Sequence, residues 1–257
     1  MIKESVKFSE SNIFEGIVSI KALIKARENN INDRPIIKIL FDDTKKITKY
    51  RELKFLKNKS VIHNYTIEFV NTEYIESLTI GNSHGGIIAF CGERVYKPLE
   101  SSLTENGFYI MLDGIEDPYN FGYALRSLYA AGVDGIVLSP RNWMGAAGVV
   151  CRASAGASEL FPMYISDSIE AVKKFKNRNY KIVCADIKNA VSIYKTELRF
   201  PLFLIIGGEK RGISKTILDN ADNIIKLDYG REFPSALSTA SAASIIAYEI
   251  FRQNNIK

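Results

Sequence analysis

The sequence predicts an α/β protein built on a parallel sheet, and three observations predict it. The stretch Phe108–Ser139, FYIMLDGIEDPYNFGYALRSLYAAGVDGIVLS, is an apolar run, a helical segment and a second apolar run, the order of a βαβ unit. Residues 201–206, PLFLII, are continuously apolar, as expected of a strand covered on both faces. Strand and helix patterns alternate along the rest of the 257 residues, without internal repeats.

Taken in order, residues 1–12 are a polar lead-in. Ile13–Glu28 reads as a helix with Ile13, Ile17, Ile20, Leu23 and Ile24 on one face. Strands are expected at 36–41, 66–70 and 85–91, with a basic helix near 48–58 and a short helix from Thr72 to Leu78. Residues 94–106, RVYKPLESSLTEN, have no periodic apolar face and read as a linker. In the second half Asp113-Gly114 ends a strand, Asp117-Pro118 makes a turn, and Asn120 occupies the position of a helix N-cap. Phe121, Ala124, Leu125 and Leu128 then form one stripe, with Arg126 off it. A helical small-residue segment (145–159) is followed by strands at 161–165, 180–185, 201–206 and 223–227. Helices are expected at 168–178, capped by Ser166 or Asp167, at 214–220 and at 238–252. In the last of these Ala243, Ile246, Ala247 and Ile250 face inward.

Composition sets the class. Hydrophobic residues at 46% and charged residues at 25% are ordinary for a soluble globular protein. No run is long enough to span a membrane, and the opening MIKESVKFSES lacks a signal-peptide core. Cys91, Cys151 and Cys184 are widely spaced, with no CxxC, which points to a reducing cytoplasm and away from a zinc site; no metal is expected. The net charge of +5 is uneven: residues 1–60 hold 14 Lys/Arg and 8 Asp/Glu, a net of +6, and the remainder carries −1. A basic first third fits a polyanion-binding module, because phosphate contacts give sequence-independent affinity. A lysine-rich solvated surface fits the same count.

At the end of PLFLII come Gly207, Gly208, Glu209, Lys210, Arg211 and Gly212. Glycines at the carboxyl end of a parallel strand either shape a strand–helix turn or let backbone approach a ligand. The wording LDGIEDPYNFGYALRS, with Asp117, Pro118, Asn120, Phe121, Gly122 and Arg126, resembles the first motif of the SpoU/TrmH-type RNA ribose 2′-O-methyltransferases, of the SPOUT class. Gly207, Glu209 and Gly212 are similar to that family's second motif, and Asp222 falls where the family has an Asp before its next strand. The third motif, Ser-Leu-Asn-x-Ser, is replaced by ALSTASAAS. Counting back from the helix places Ala236-Leu237-Ser238 on Ser-Leu-Asn, while counting forward from Gly230 lands Ala236 on Asn. The helix count is preferred, since a loop absorbs an insertion and a packed helix does not. The usual Asn is absent either way, and Ser238, Thr239 and Ser241 are the nearest polar substitutes.

The resemblance implies a small α/β RNA-binding domain over 1–94, similar to certain ribosomal proteins, a linker at 95–106, and a SPOUT domain over 107–257 with a parallel sheet and C-terminal trefoil knot. His84-Gly85-Gly86 resembles the ending of the family's substrate domain, though a histidine at a strand entrance is also an ordinary structural residue. Carried over residue by residue, the catalytic set is Arg126, Asn120, Glu209 and Ser238. The S-adenosylmethionine site is Gly207, Gly208, Leu227, Gly230, Leu237 and Ser238. The implied activity is methyl transfer to a ribose 2′-OH of structured RNA, ribosomal or transfer RNA with ribosomal placed first, by a cytoplasmic homodimer. The alternative is a knotted RNA-binding protein with weakened or absent catalysis, because of the missing Asn. A generic nucleotide enzyme is disfavoured by the lack of a phosphate-binding glycine fingerprint.

Overall fold

A computed structural model describes residues 12–79, 83–101, 103–140, 146–208 and 212–255. They divide into two units: described residues of Met1–Val95 and Asn142–Leu160 in the first, those of Tyr96–Arg141 and Phe161–Lys257 in the second.

The first unit runs β1 (Ile13–Glu15), α1 (Gly16–Glu28), β2 (Ile36–Asp42), α2 (Tyr50–His63), β3 (Thr66–Val70), α3 (Thr72–Leu78) and β4 (Ile87–Cys91). Its sheet order is β1-β4-β2-β3, with β2 and β3 parallel and β4 antiparallel to both neighbours. The expected helix start at Ile13 is corrected: Ile13–Glu15 pair with Ile88–Phe90, and Gly16 (φ +82°) turns the chain into α1, a conformation that glycine adopts without strain. Apolar residues of α1 and α2 (Ile20, Leu23, Ile24 and Leu56) close over Phe14, Ile39 and Phe41, all buried. Asn71 rather than Thr72 caps α3, accepting from the Tyr74 amide at 2.9 Å; the Thr72 hydroxyl instead donates to buried Asp42 at 2.8 Å. Buried His84 accepts from the Gly86 amide through Nδ1 at 2.9 Å, and burial holds its pKa below the usual imidazole range.

Residues 146–160, which the sequence reading puts inside 107–257, pack in this first unit. They form α5 (Ala147–Ala153) and α6 (Ala157–Leu160), not one segment, because Ala155 and Gly156 take φ of +52° and +89°; Gly145 lies outside the described residues. A side chain at Gly148 would put its Cβ 1.9 Å from the Ile13 carbonyl oxygen, so a glycine sets this approach. Glu159 is buried against Arg34 (Nε to carboxylate 3.1 Å) and also accepts from Asn32, and Arg34 donates to the Gly92 carbonyl at 2.9 Å. Such a pair holds only while both partners remain, since a lone buried charge costs about 3–5 kcal/mol.

The second unit contains β5 (Phe108–Asp113), α4 (Pro118–Ala130), β6 (Gly135–Leu138), β7 (Met163–Ile165), α7 (Ser168–Lys176), β8 (Lys181–Ala185), β9 (Val191–Ser192), β10 (Leu202–Gly207), α8 (Lys215–Leu218), β11 (Asn223–Lys226) and α9 (Thr239–Asn255). The sheet order is β7-β6-β5-β10-β8-β11-β9, and every neighbouring pair is parallel. β10 is the central strand, with Leu202–Ile206 buried throughout, which is why its sequence does not alternate. The Phe175 ring of α7 stacks on Phe203 of β10 with centroids 3.9 Å apart. Asp167 caps α7 through the amides of Ile169 and Glu170.

The cap of α4 is likewise an aspartate. Asn120 was the expected cap; Asp117 holds that place, accepting from the Tyr119 and Asn120 amides at 2.7 and 2.9 Å, with Pro118 at the first helical position. Phe121, Ala124, Leu125 and Leu128 are buried as the stripe requires, and so are Ala243, Ile246, Ala247 and Ile250 of α9, which packs along α4. Cys91, Cys151 and Cys184 are free and buried, and burial pushes all three thiols up, Cys184 to about 12, so none is a ready thiolate. Among the described residues no helix is long and apolar enough to cross a membrane, and no cluster has the makings of a metal site.

Candidate active site

The carboxyl end of the central strand carries the site. β10 and β5 run side by side until Gly207 faces Asp113, and the two chain segments then stay in contact. The Gly208 amide donates to the Asp113 carbonyl at 2.5 Å, and a Cβ on Gly208 would sit 2.2 Å from the Gly114 carbonyl oxygen. A Cβ on Gly207 would lie 2.5 Å from the Gly212 carbonyl carbon, and the Gly212 amide closes the loop onto the Gly208 carbonyl at 3.0 Å. Gly207 and Gly208 are therefore required first by backbone-to-backbone packing, Gly207 against Gly212 and Gly208 against Gly114.

Gly207, Gly208 and Gly212 line a cavity of about 280 Å³, near the lower size of small-molecule sites. Four elements wall it. β10 gives Ile206 and Gly207, β11 with its following loop gives Ile225 and Leu227, and the approach to α9 gives Ala236 and Leu237, with Ile246 from α9 itself. The end of β8 adds Ala185, Asp186 and Ile187. Of the expected cofactor residues, Gly207, Gly208, Leu227 and Leu237 share this cavity. Gly230 is exposed and outside it. Tyr229 braces the approach to α9, its hydroxyl accepting from the Leu237 amide at 3.1 Å.

Ser238 lines neither this cavity nor its neighbour. Its hydroxyl accepts from the Ser241 amide at 3.2 Å, which makes it the N-cap of α9. The next residue takes the inner position: Thr239 is 4% exposed, and its hydroxyl donates to the Gly207 carbonyl at 3.3 Å. Thr239 also lines a second opening, formed by Gly114, Ile115, Glu116, Asp117, Pro118 and half-buried Asn120. One threonine thus borders both spaces.

The expected catalytic set is only partly gathered. Asn120 faces the second opening; Glu209 lies outside the described residues. Arg126 is exposed six residues further along α4, in neither cavity, with no hydrogen bond or ion pair to the described residues. Asp222 is structural, accepting from the Ile182 amide at 2.7 Å. Sequence reasoning missed the contribution of β8. Asp186 is the only acid on the main cavity's described wall, its Oδ1 accepting from the amides of Ile187 (2.6 Å) and Lys188 (3.0 Å). No motif marks it; its sole signal is that it follows an apolar strand.

A parallel sheet with a glycine-shaped, largely apolar cavity at the carboxyl end of its central strand defines an α/β ligand-binding protein. Comparison with known proteins makes this specific: the SpoU rRNA Methylase family model matches residues 107–248, and the chain belongs to that family. A TrmH-family protein of Staphylococcus saprophyticus is 28% identical over 236 residues, 89% of this chain and 93% of that relative. The fold is shared with an AdoMet-bound rRNA methyltransferase from Sinorhizobium meliloti, at TM-score 0.80 and 19% identity over 98% of this chain and 94% of that one. It is also shared with an RNA 2′-O ribose methyltransferase, at TM-score 0.73 and 19% identity over 94% and 88%.

The loop contact yields a direct expectation. Gly208→Ala forces a methyl group against the Gly114 carbonyl and should cost about 1–3 kcal/mol in urea unfolding, the usual penalty of overpacking. Gly230→Ala, with nothing within 4 Å of the added carbon, should stay within about 0.5 kcal/mol. Equal unfolding midpoints for the two variants would contradict the packing account.

Proposed function

We propose that the chain transfers the methyl group of S-adenosylmethionine to a ribose 2′-OH of RNA, ribosomal RNA before transfer RNA. One observation carries this reading: the cavity holding Gly207, Gly208, Leu227 and Leu237 adjoins the Asn120 opening, and Thr239 borders both. The family description names rRNA, and the ribose specificity is supported by the structural neighbour named for it. The residues present fit the cofactor. Ile225, Leu227, Leu237 and Ile246 offer apolar walls to an adenine, and the Asp186 carboxylate suits ribose hydroxyls or an ammonium group. Bound there, S-adenosylmethionine supplies an already activated methyl group. The family's trefoil arrangement from β10 to α9 is part of this reading.

The chain's own residues then have limited tasks. Asn120 orients the acceptor ribose at the second opening. Thr239 keeps the start of α9 tied to Gly207, so the wall between the two spaces holds its position. Arg126 clamps a flanking phosphate and stabilises the developing alkoxide; a guanidinium stays protonated and cannot serve as the base. The proton leaves to phosphate or water.

A second protomer belongs to this reading. On α4 Tyr123 (54% exposed) and Tyr129 flank Arg126 at i−3 and i+3, and α9, which packs along α4, exposes Ile245 and Tyr248 (48%), apolar surface suited to covering by another copy. Sedimentation equilibrium at micromolar concentration should give twice the chain mass, and a monomer removes the second protomer from the reading.

The arginine gives the sharper test. Arg126→Ala should leave stability within about 0.5 kcal/mol and S-adenosylmethionine affinity unchanged. It should slow single-turnover ribose methylation of ribosomal RNA, read as alkali-resistant dinucleotides, by about 10²–10³. Arg126→Lys should not restore it, because an ammonium cannot reproduce a two-pronged clamp. A variant working at the wild-type rate ends this mechanism. A wild-type protein that binds RNA and cofactor yet transfers nothing favours the binding-protein alternative.

A further inference from the structure

Among the described residues β3 is the edge of the first unit's sheet and pairs only with β2. On that edge strand Phe69 stands opposite Phe41, and the two rings meet edge to face with centroids 6.0 Å apart. The contact with buried Phe41 anchors the Phe69 ring while 41% of the residue remains exposed. A single exposed phenylalanine needs no explanation. What surrounds this one does: Lys46, from the turn after β2, holds its Nζ 4.2 Å from the ring centroid, and Lys57 of α2 reaches it at 5.9 Å.

Two ammonium groups on one ring repel each other, and each cation–π contact offsets that by only about 0.5–1 kcal/mol at an exposed site. Three other lysines of the unit sit beside acids: Lys38 pairs with Glu68, Lys45 with Asp42 and Lys59 with Glu28. Lys46 and Lys57 have no carboxylate partner among the described residues. Along the chain between Lys46 and Lys57 lie Lys49, Tyr50 (61% exposed), Arg51 and Lys54, and Glu52 is the only acid in α2. The arrangement therefore lacks a partner with a flat apolar face and a negative charge a few ångströms away. A nucleotide has that form.

We propose that Phe69, flanked by Lys46 and Lys57, is a stacking platform for an unpaired nucleotide of the RNA substrate, its base on the ring and its phosphates on the ammonium groups. The inference rests on the RNA reading above and narrows it. A base within a duplex is already stacked on both faces, so an edge-strand ring receives only a splayed or single-stranded one. The first unit thereby selects a loop or unpaired segment, and the remaining lysines supply affinity without sequence preference.

The test uses the full-length protein and two fluorescein-labelled RNAs, a single-stranded adenylate ten-mer and a ten-base-pair duplex, followed by anisotropy. Phe69→Leu keeps apolar packing on Phe41 but removes the platform. It should weaken single-strand binding at least ~5-fold, as loss of one base–aromatic stack does, and leave duplex binding unchanged. Phe69→Trp should keep single-strand affinity at the wild-type level, and the ten-mer should quench its tryptophan emission beyond any change it causes at Trp143 in the wild type. Lys46→Gln with Lys57→Gln should shallow the single-strand salt slope by about 0.7 per lysine. Equal single-strand affinity for the wild type and Phe69→Leu, or an equal loss on both RNAs, overturns the platform and leaves the RNA reading standing. A wild-type protein that binds neither RNA overturns both.

Discussion

The site depends on how closely two backbone segments approach at the carboxyl end of β5 and β10. The Gly208 amide reaches the Asp113 carbonyl at 2.5 Å, with no room for a side chain between Gly208 and Gly114. This contact fixes where the glycine loop leaves the sheet. The loop in turn fixes the cavity, because Gly207 receives the Thr239 hydroxyl and so sets the start of α9. The pairing of β10 between β5 and β8 makes the contact rigid, since both neighbours are parallel and the strand is buried along its length. Strand centrality, loop geometry and helix position form one chain of consequence.

Much of this was legible in the sequence, for a physical reason. A strand covered on both faces has no reason to alternate, so residues 201–206 announce a central strand, and the stripes of α4 and α9 announce the faces they bury. Other elements failed where local signals compete. Ile13–Glu15 continue a helical pattern, yet pair with β4 because Gly16 breaks the helix. Asn120 and Asp117 are both good caps, and the proline after Asp117 decides between them. Ala155-Gly156 splits a segment that composition makes one helix. The two-residue strand β9 carries no pattern at all.

The site was legible in part. Gly207, Gly208, Leu227 and Leu237 come from separate stretches that resemble family motifs, and they share a cavity. The contribution of β8 depends on the sheet order β10-β8-β11, a long-range fact that no local pattern encodes. The register at the third motif chose Ser238 over its neighbour; the helix start gives the capping role to Ser238 and the inner wall to Thr239. The uneven charge of the chain also acquires a location: Lys46 and Lys57, without a carboxylate partner among the described residues, meet at Phe69 on the β3 edge, whereas Lys38, Lys45 and Lys59 each sit beside an acid.

In the proposed function the cavity lined by Gly207 and Gly208 receives S-adenosylmethionine with its methyl-bearing end toward Thr239. A crystal structure of the full chain grown with the cofactor tests this most directly. The account predicts the adenosyl group between Leu227 and Leu237, Asp186 within hydrogen-bond distance of it, and the sulfonium facing the opening lined by Asn120. Cofactor bound elsewhere, or an empty cavity at millimolar cofactor, would contradict it.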